Sequence, residues 1–78
     1  MALTYIEIRK AKPRLKPYKL YDASGLFVLV KPNGSKLWRQ KYILAGKERQ
    51  LSHGAYPELS LKDARTKRDE ARDLLAHH

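Results

Sequence analysis

Cysteine is absent from this chain. That removes a disulfide framework and a thiolate zinc site together, so a core built from only 78 residues must hold by packing alone. Long apolar stretches are lacking too. The longest run, Leu26-Phe27-Val28-Leu29-Val30, is far too short to span a bilayer. Glu7 stands where a signal peptide would need its apolar segment. The expectation is a soluble, cytosolic chain of one domain, residues 1–78. Glycine-rich phosphate loops and paired carboxylates in apolar surroundings are also missing. His53, His77 and His78 lack metal spacing on one helix face, and Gly25 and Gly34 read as turn formers. No catalytic centre, metal or cofactor is therefore expected. His77-His78 fits a native ending as well as the remnant of a purification tag, and no function is assigned to it.

Acidic residues are scarce, and unevenly so. Seventeen basic residues against 8 acidic leave a net charge of +9. From residue 60 onward five cations (Lys62, Arg65, Lys67, Arg68, Arg72) nearly cancel against four anions (Asp63, Asp69, Glu70, Asp73). Almost the whole excess thus lies in residues 1–59. The stretch Arg9-Lys10-Ala11-Lys12-Pro13-Arg14-Leu15-Lys16-Pro17-Tyr18-Lys19 has six cations and no anion. A field so one-sided attracts a polyanion, of which nucleic acid is the commonest; solubility alone does not require the asymmetry. Arg14, Lys16 and Lys19 are the candidate phosphate contacts in this stretch.

The elements can be read in order. Thr4 followed by Glu7 has capping-box spacing and opens a short helix, with Leu3, Ile6 and Ile8 as its anchors. Pro13 stops it, because the residue before a proline is pushed out of the helical region. An extended basic connector follows, holding Pro13 and Pro17. Leu26 to Lys31 then reads as a strand, Pro32-Asn33-Gly34-Ser35 as a turn, and Lys36 to Leu44 as a second strand. Ala45-Gly46 turns into a third, Lys47 to His53. A weaker piece, Lys19 to Asp22, lies beside the sheet. Ser60 caps the last helix, in which Leu61, Ala64, Arg68, Ala71, Leu74 and Leu75 form one face. The fold class is α+β: a three-stranded antiparallel sheet packed against a C-terminal helix, with a short N-terminal helix.

Side chains alternate across a strand, so parity assigns the faces. A two-residue Ala45-Gly46 loop pairs Tyr42 with Arg49, Gln40 with Leu51 and Trp38 with His53, which gathers Trp38, Tyr42 and Leu51 on one face as a core. In the first hairpin, a strict Asn33-Gly34 loop sets Val28 beside Arg39. A three-residue loop, Asn33-Gly34-Ser35, instead pairs Val30 with Trp38 and Val28 with Gln40. The second is preferred, because it carries Leu26, Val28 and Val30 to the core with Trp38 and Tyr42. The outer face then shows Phe27, Leu29, Lys31, Leu37, Arg39, Lys41 and Ile43 beside Glu48, Gln50 and Ser52. A single helix cannot cover both faces, so a basic and partly apolar outer face suggests docking. Its chemistry suits duplex DNA. Lysine and arginine neutralise phosphates. Arg39 and Gln50 have the reach to read guanine or adenine edges in the major groove, and Leu29 or Phe27 to meet a thymine methyl.

The ordered set Lys36, Trp38, Tyr42, Gly46-Lys47, Gly54, Tyr56-Pro57, Ser60-Leu61, Ala64 and Arg65 resembles the N-terminal arm-type DNA-binding domain of phage and pathogenicity-island integrases, of the tyrosine recombinase family. The resemblance runs from about residue 3 to residue 76. It implies a basic sheet face in the major groove, with Lys31, Arg39 and Lys41 on the sheet and Lys36 in the adjoining turn. It also implies double-stranded DNA, as arm-type repeats beside an attachment site, as the partner. Further implied partners are other integrase protomers, an excisionase and DNA-bending host factors, all in the bacterial cytoplasm on the nucleoid. No membrane is involved. Members of that family are several times longer, so the chain is expected to be a non-catalytic piece lacking the core-binding and catalytic domains. Tyr5, Tyr18, Tyr21, Tyr42 and Tyr56 are accordingly not nucleophiles.

This sequence departs from the family pattern at three positions. Gln40 and His53 stand where apolar residues are common, which makes the core side wetter or the parity wrong. Leu29 stands where a basic residue is common. His53 reads better as a satisfied, half-buried histidine than as a ligand. The alternatives to duplex DNA are RNA, for which Phe27 alone is placed to stack a base, and a protein partner on the C-terminal helix.

Overall fold

The computed structural model describes residues 3–76; the His77-His78 pair lies outside them. Its elements are α1 (Tyr5–Lys10), β1 (Tyr18–Tyr21), β2 (Leu26–Val30), β3 (Lys36–Leu44), β4 (Lys47–Tyr56) and α2 (Leu61–Ala76). Both helix starts follow their capping residues. Thr4 accepts from the Glu7 N–H while Glu7 reaches back to the Thr4 N–H, and Ser60 Oγ accepts from the Asp63 N–H at 3.1 Å.

The sheet is antiparallel, in the order β1-β2-β3-β4. The expected three strands are therefore four. The piece expected only beside the sheet pairs fully, Tyr18 to Val30 through Tyr21 to Phe27. Its hairpin closes through Ser24 and Gly25, both at positive φ, and through Asp22 N–H to the Leu26 carbonyl at 2.8 Å. Gly25 is required there on a second ground. The Lys41 N–H bonds the Gly25 carbonyl at 2.9 Å, and a Cβ on Gly25 would run into the Lys41 carbonyl.

Register explains the faces. Leu26 pairs with Gln40, Val28 with Trp38 and Val30 with Lys36. The loop is thus five residues long, not three. Parity is preserved because the two differ by an even number, so the face assignment stands while the individual pairs shift by two. In the second hairpin Tyr42–Arg49 and Gln40–Leu51 pair as expected, but Trp38 meets Gly54 instead of His53. A bulge between Trp38 and Arg39 leaves His53 as the extra residue. His53 Nε2 lies 2.8 Å from Gln40 Oε1, and Gln40 Nε2 donates to the Arg68 carbonyl of α2. The two unexpected polar residues thus satisfy each other on the core side. Burial, and then the charge of Lys67, push the His53 imidazole below the ordinary histidine range.

The inner face is sealed by both helices. Leu3, Ile8, Leu26, Val28, Trp38, Leu61 and Ala64 form one cluster, joined by Leu20, Tyr56 and Leu59. The Trp38 Nε1–H donates to the Leu59 carbonyl at 2.7 Å, so the largest buried side chain leaves no open donor. Some residues expected to face inward do not join this cluster. Ile6 is 57%, Leu74 69% and Leu51 38% exposed; Ile6 and Ile8 stand two residues apart, about 200° around a helix, so both cannot face inward.

A single carboxylate ties the layers together. Asp22 has a fully buried side chain. It accepts from Leu3 N–H at 2.9 Å, from Arg65 Nε and Nη2 at 2.9 and 3.0 Å, and from Arg68 Nη1 at 3.0 Å. Arg65 Nη2 also donates to the Leu3 carbonyl at 2.7 Å. Burial alone raises the Asp22 carboxyl. The hydrogen bonds from Arg65 and Leu3, with the Arg65 charge, outweigh it and hold the group below the ordinary aspartate range.

Two predictions follow from this packing. Trp38→Ala lowers unfolding free energy by about 3–5 kcal/mol, read by urea denaturation; a small loss would place Trp38 outside the core. Asp22→Ala removes the acceptor shared by the partly exposed Arg65 and by Arg68 and lowers stability by about 2–3 kcal/mol. Because the folded pKa of Asp22 is depressed, its contribution is complete above roughly pH 4, the unfolded value, and fades as pH falls through the folded one. In Asp22→Asn that part of the acid dependence is lost, and the fall in stability from neutral to acid pH is smaller than in the unaltered chain.

Candidate nucleic-acid interface

The outer sheet face consists of cross-strand rows. Lys19, Leu29 and Leu37 make one row; Tyr21, Phe27, Arg39 and Ser52 make the next. Lys41 and Gln50, then Ile43 and Glu48, continue it along β3 and β4. The helices pack on the other side, and Lys41, Ile43, Glu48, Gln50 and Ser52 are exposed. Past Lys41, β3 pairs with β4 alone, so a two-stranded ribbon closed by Ala45-Gly46 projects beyond the four-stranded part.

Phe27 is the surprise of this face. It points outward yet is only 1% exposed. Tyr21 lies against its ring at 5.8 Å between centroids, and Lys19 Nζ stands 5.0 Å from its centroid. The outer face therefore has a small apolar floor of its own, beneath a cationic cover. Arg39, opposite Phe27, is half-buried, and its Nε is buried with no hydrogen-bond partner among the described residues. An acceptor that recruits this guanidinium would satisfy a donor the fold leaves open. Lys41 Nζ and Glu48 Oε1 pair at 2.7 Å. The hydrogen bond and charge of Glu48 raise the Lys41 ammonium, so Lys41 stays cationic.

The structure thus brings Lys19, Leu29, Arg39, Lys41 and Gln50 onto one surface, with Lys31 half-buried at its rim, where the turn begins. It separates the other three candidates. Lys36 is not in the turn: it is the first residue of β3, on the inner side, donating to the Ile8 carbonyl at 2.8 Å with Nζ 5.4 Å from the Tyr56 ring centroid. Its charge is taken up in holding α1. Arg14 stacks over the Tyr18 ring at 4.1 Å, on the connector, and the Tyr18 hydroxyl donates to the Lys12 carbonyl. Arg14 lines a shallow groove with Glu7, Lys10, Lys12, Tyr18 and Leu20, and Lys16 is exposed on the same connector. Tyr21 was missed, although the alternation running through Lys19 and Tyr21 was its signal. Among the described residues no three metal-ligating side chains come together, and no helix is long and apolar enough to cross a membrane.

A family model described as an arm DNA-binding domain matches residues 3–78. The chain belongs to this family. The arm DNA-binding domain is 49% identical over 76 residues to the prophage integrase IntA of Escherichia coli K12, covering 95% of this chain and 18% of that protein. It is 48% identical over 77 residues to the prophage integrase IntZ of the same strain, covering 96% and 19%. With the integrase of Shigella phage Sf6 it shares 44% over 70 residues, covering 90% and 18%. The chain thus spans less than a fifth of the length of these relatives.

The geometry separates two lysines by role. Lys36→Ala removes a charged hydrogen bond to the Ile8 carbonyl and lowers stability by about 1–2 kcal/mol. Lys41→Ala removes an exposed pair and leaves the thermal midpoint within a few degrees. Thermal unfolding of the two variants side by side checks this; the reverse order would place Lys36 on the free surface.

Proposed function

We propose that the arm DNA-binding domain grips arm-type repeats in duplex DNA beside an attachment site, as the non-catalytic module of a site-specific recombinase. The observation that carries this is the outer sheet face: Lys19, Arg39 and Lys41 stand together on a surface left open by both helices, around an apolar floor. The lysines neutralise phosphates, and the released counterions supply much of the affinity. Arg39 and Gln50 read base edges in the major groove, and Leu29 meets a thymine methyl. Lys31 contacts the backbone at the rim, while Arg14 and Lys16 reach flanking phosphates from the connector.

In this reading residues 1–78 are one module of a longer tyrosine recombinase, and strand cleavage belongs to its catalytic domain. The parent works in the bacterial cytoplasm on the nucleoid. The domain assembles protomers on neighbouring repeats so that they exchange strands at the core site, with an excisionase and DNA-bending host factors as further partners. RNA is the weaker reading, because Phe27, the ring a base would stack on, is covered by Tyr21 and Lys19.

Binding to labelled duplex from the flanks of the cognate attachment site, against scrambled duplex and single-stranded RNA, tests the proposal across a salt series. The expected result is preference for the flanking repeats, with log affinity falling as roughly five or six phosphate contacts require. Equal weak binding to both duplexes, or stronger binding to RNA, contradicts it.

A further inference from the structure

Among the outward-facing sheet positions there is one carboxylate, Glu48. On a face otherwise furnished with Lys19, Arg39 and Lys41 it is out of place: it repels phosphate and weakens every sequence-independent contact. Phosphate and sugar–phosphate oxygens offer it nothing, since they are acceptors. In the major groove the donors facing a protein are the exocyclic amino groups, N4 of cytosine and N6 of adenine.

Glu48 is placed to reach them. It lies on the ribbon that projects past the four-stranded part of the sheet, directly across from Ile43, and two residues from the Ala45-Gly46 turn. A B-form major groove is about 12 Å wide and admits such a two-stranded ribbon, so the ribbon is the part of this face that goes deepest. Its side chain is 59% exposed, with Oε1 held by Lys41 at 2.7 Å. Lys41 thereby orients the carboxylate and, by hydrogen bond and charge, keeps it ionised and acceptor-only. Ile43, 74% exposed beside it, offers an apolar surface to a neighbouring thymine methyl.

We infer that Glu48 is a specificity-determining residue that accepts a hydrogen bond from an exocyclic base amino group, cytosine N4 or adenine N6, in the major groove, with Lys41 as its positioning residue. This rests on the outer sheet face being the DNA interface. Glu48 lowers affinity for duplex in general and restores it at sites that present the amino group at the right step.

Binding-site selection from randomised duplex, run with the unaltered chain, Glu48→Ala and Glu48→Gln, tests it. Unchanged thermal midpoints show that the exposed substitutions leave the fold intact. Fixed-sequence duplexes then measure affinity with cytosine, adenine or thymine at the affected step. The unaltered chain is expected to prefer cytosine or adenine at one position, and the two arms tell which. Glu48→Ala loses about five- to tenfold of that preference while binding scrambled duplex more tightly. Glu48→Gln, able to pair with adenine N6 and N7 together, moves the preference toward adenine. A uniform rise in affinity, with the preference of Glu48→Ala unchanged at every position, overturns the inference and leaves the DNA interface standing. Absence of salt-dependent duplex binding by the unaltered chain overturns both.

Discussion

One buried carboxylate ties the layers of this domain together. Asp22 sits in the turn between β1 and β2 and gathers the N-terminal Leu3 amide and two arginines of α2. It therefore fixes the N-terminus, the first hairpin and the C-terminal helix to one another at a single point. An ion pair this buried is not worth much against an apolar replacement, but removing one partner leaves charges stranded in a low-dielectric interior. The arrangement also divides the charge of the molecule. Arg65 and Arg68 are used to hold α2 down, and Lys36 to hold α1. Lys19 and Arg39 of the outer sheet face, with Arg14 and Lys16 of the connector, are not used in this way.

That division explains why a small domain can present half-apolar, strongly basic strands without collapsing around them. Phe27 and Leu29 would be an exposed hydrophobic patch if the outer face were polar only at its edges. Instead Lys19 and Tyr21 lie over Phe27, long side chains covering apolar surface with charged or polar ends outward.

Much of this was legible in the sequence. Capping residues announced both helices, and alternation assigned nearly every strand residue to its correct face, because parity survives an even error in loop length. What escaped had no local signal. The loop from Lys31 to Ser35 is longer than Asn33-Gly34 suggests, because that dipeptide signals a tight turn. The bulge at His53 depends on Gln40 reaching across from the neighbouring strand. β1 alternates, but four residues with one aliphatic side chain are too few to mark it as a paired strand. Asp22 lies 43 and 46 residues from its arginines, and no spacing rule links residues so far apart. Lys36 was misplaced for a related reason: a lysine at the start of a strand looks free, and only the position of α1 shows that its ammonium has a carbonyl to bind.

The outer sheet face, not α2, is the surface proposed to meet DNA. Chemical-shift mapping of the isotope-labelled chain, titrated with duplex from the attachment-site flanks, tests it most directly. Leu29, Arg39, Lys41 and Gln50 are expected to shift or broaden as duplex is added, while Lys62, Thr66 and Glu70 on α2 stay in place. Perturbation confined to α2, with the β2–β4 resonances unmoved, would contradict it.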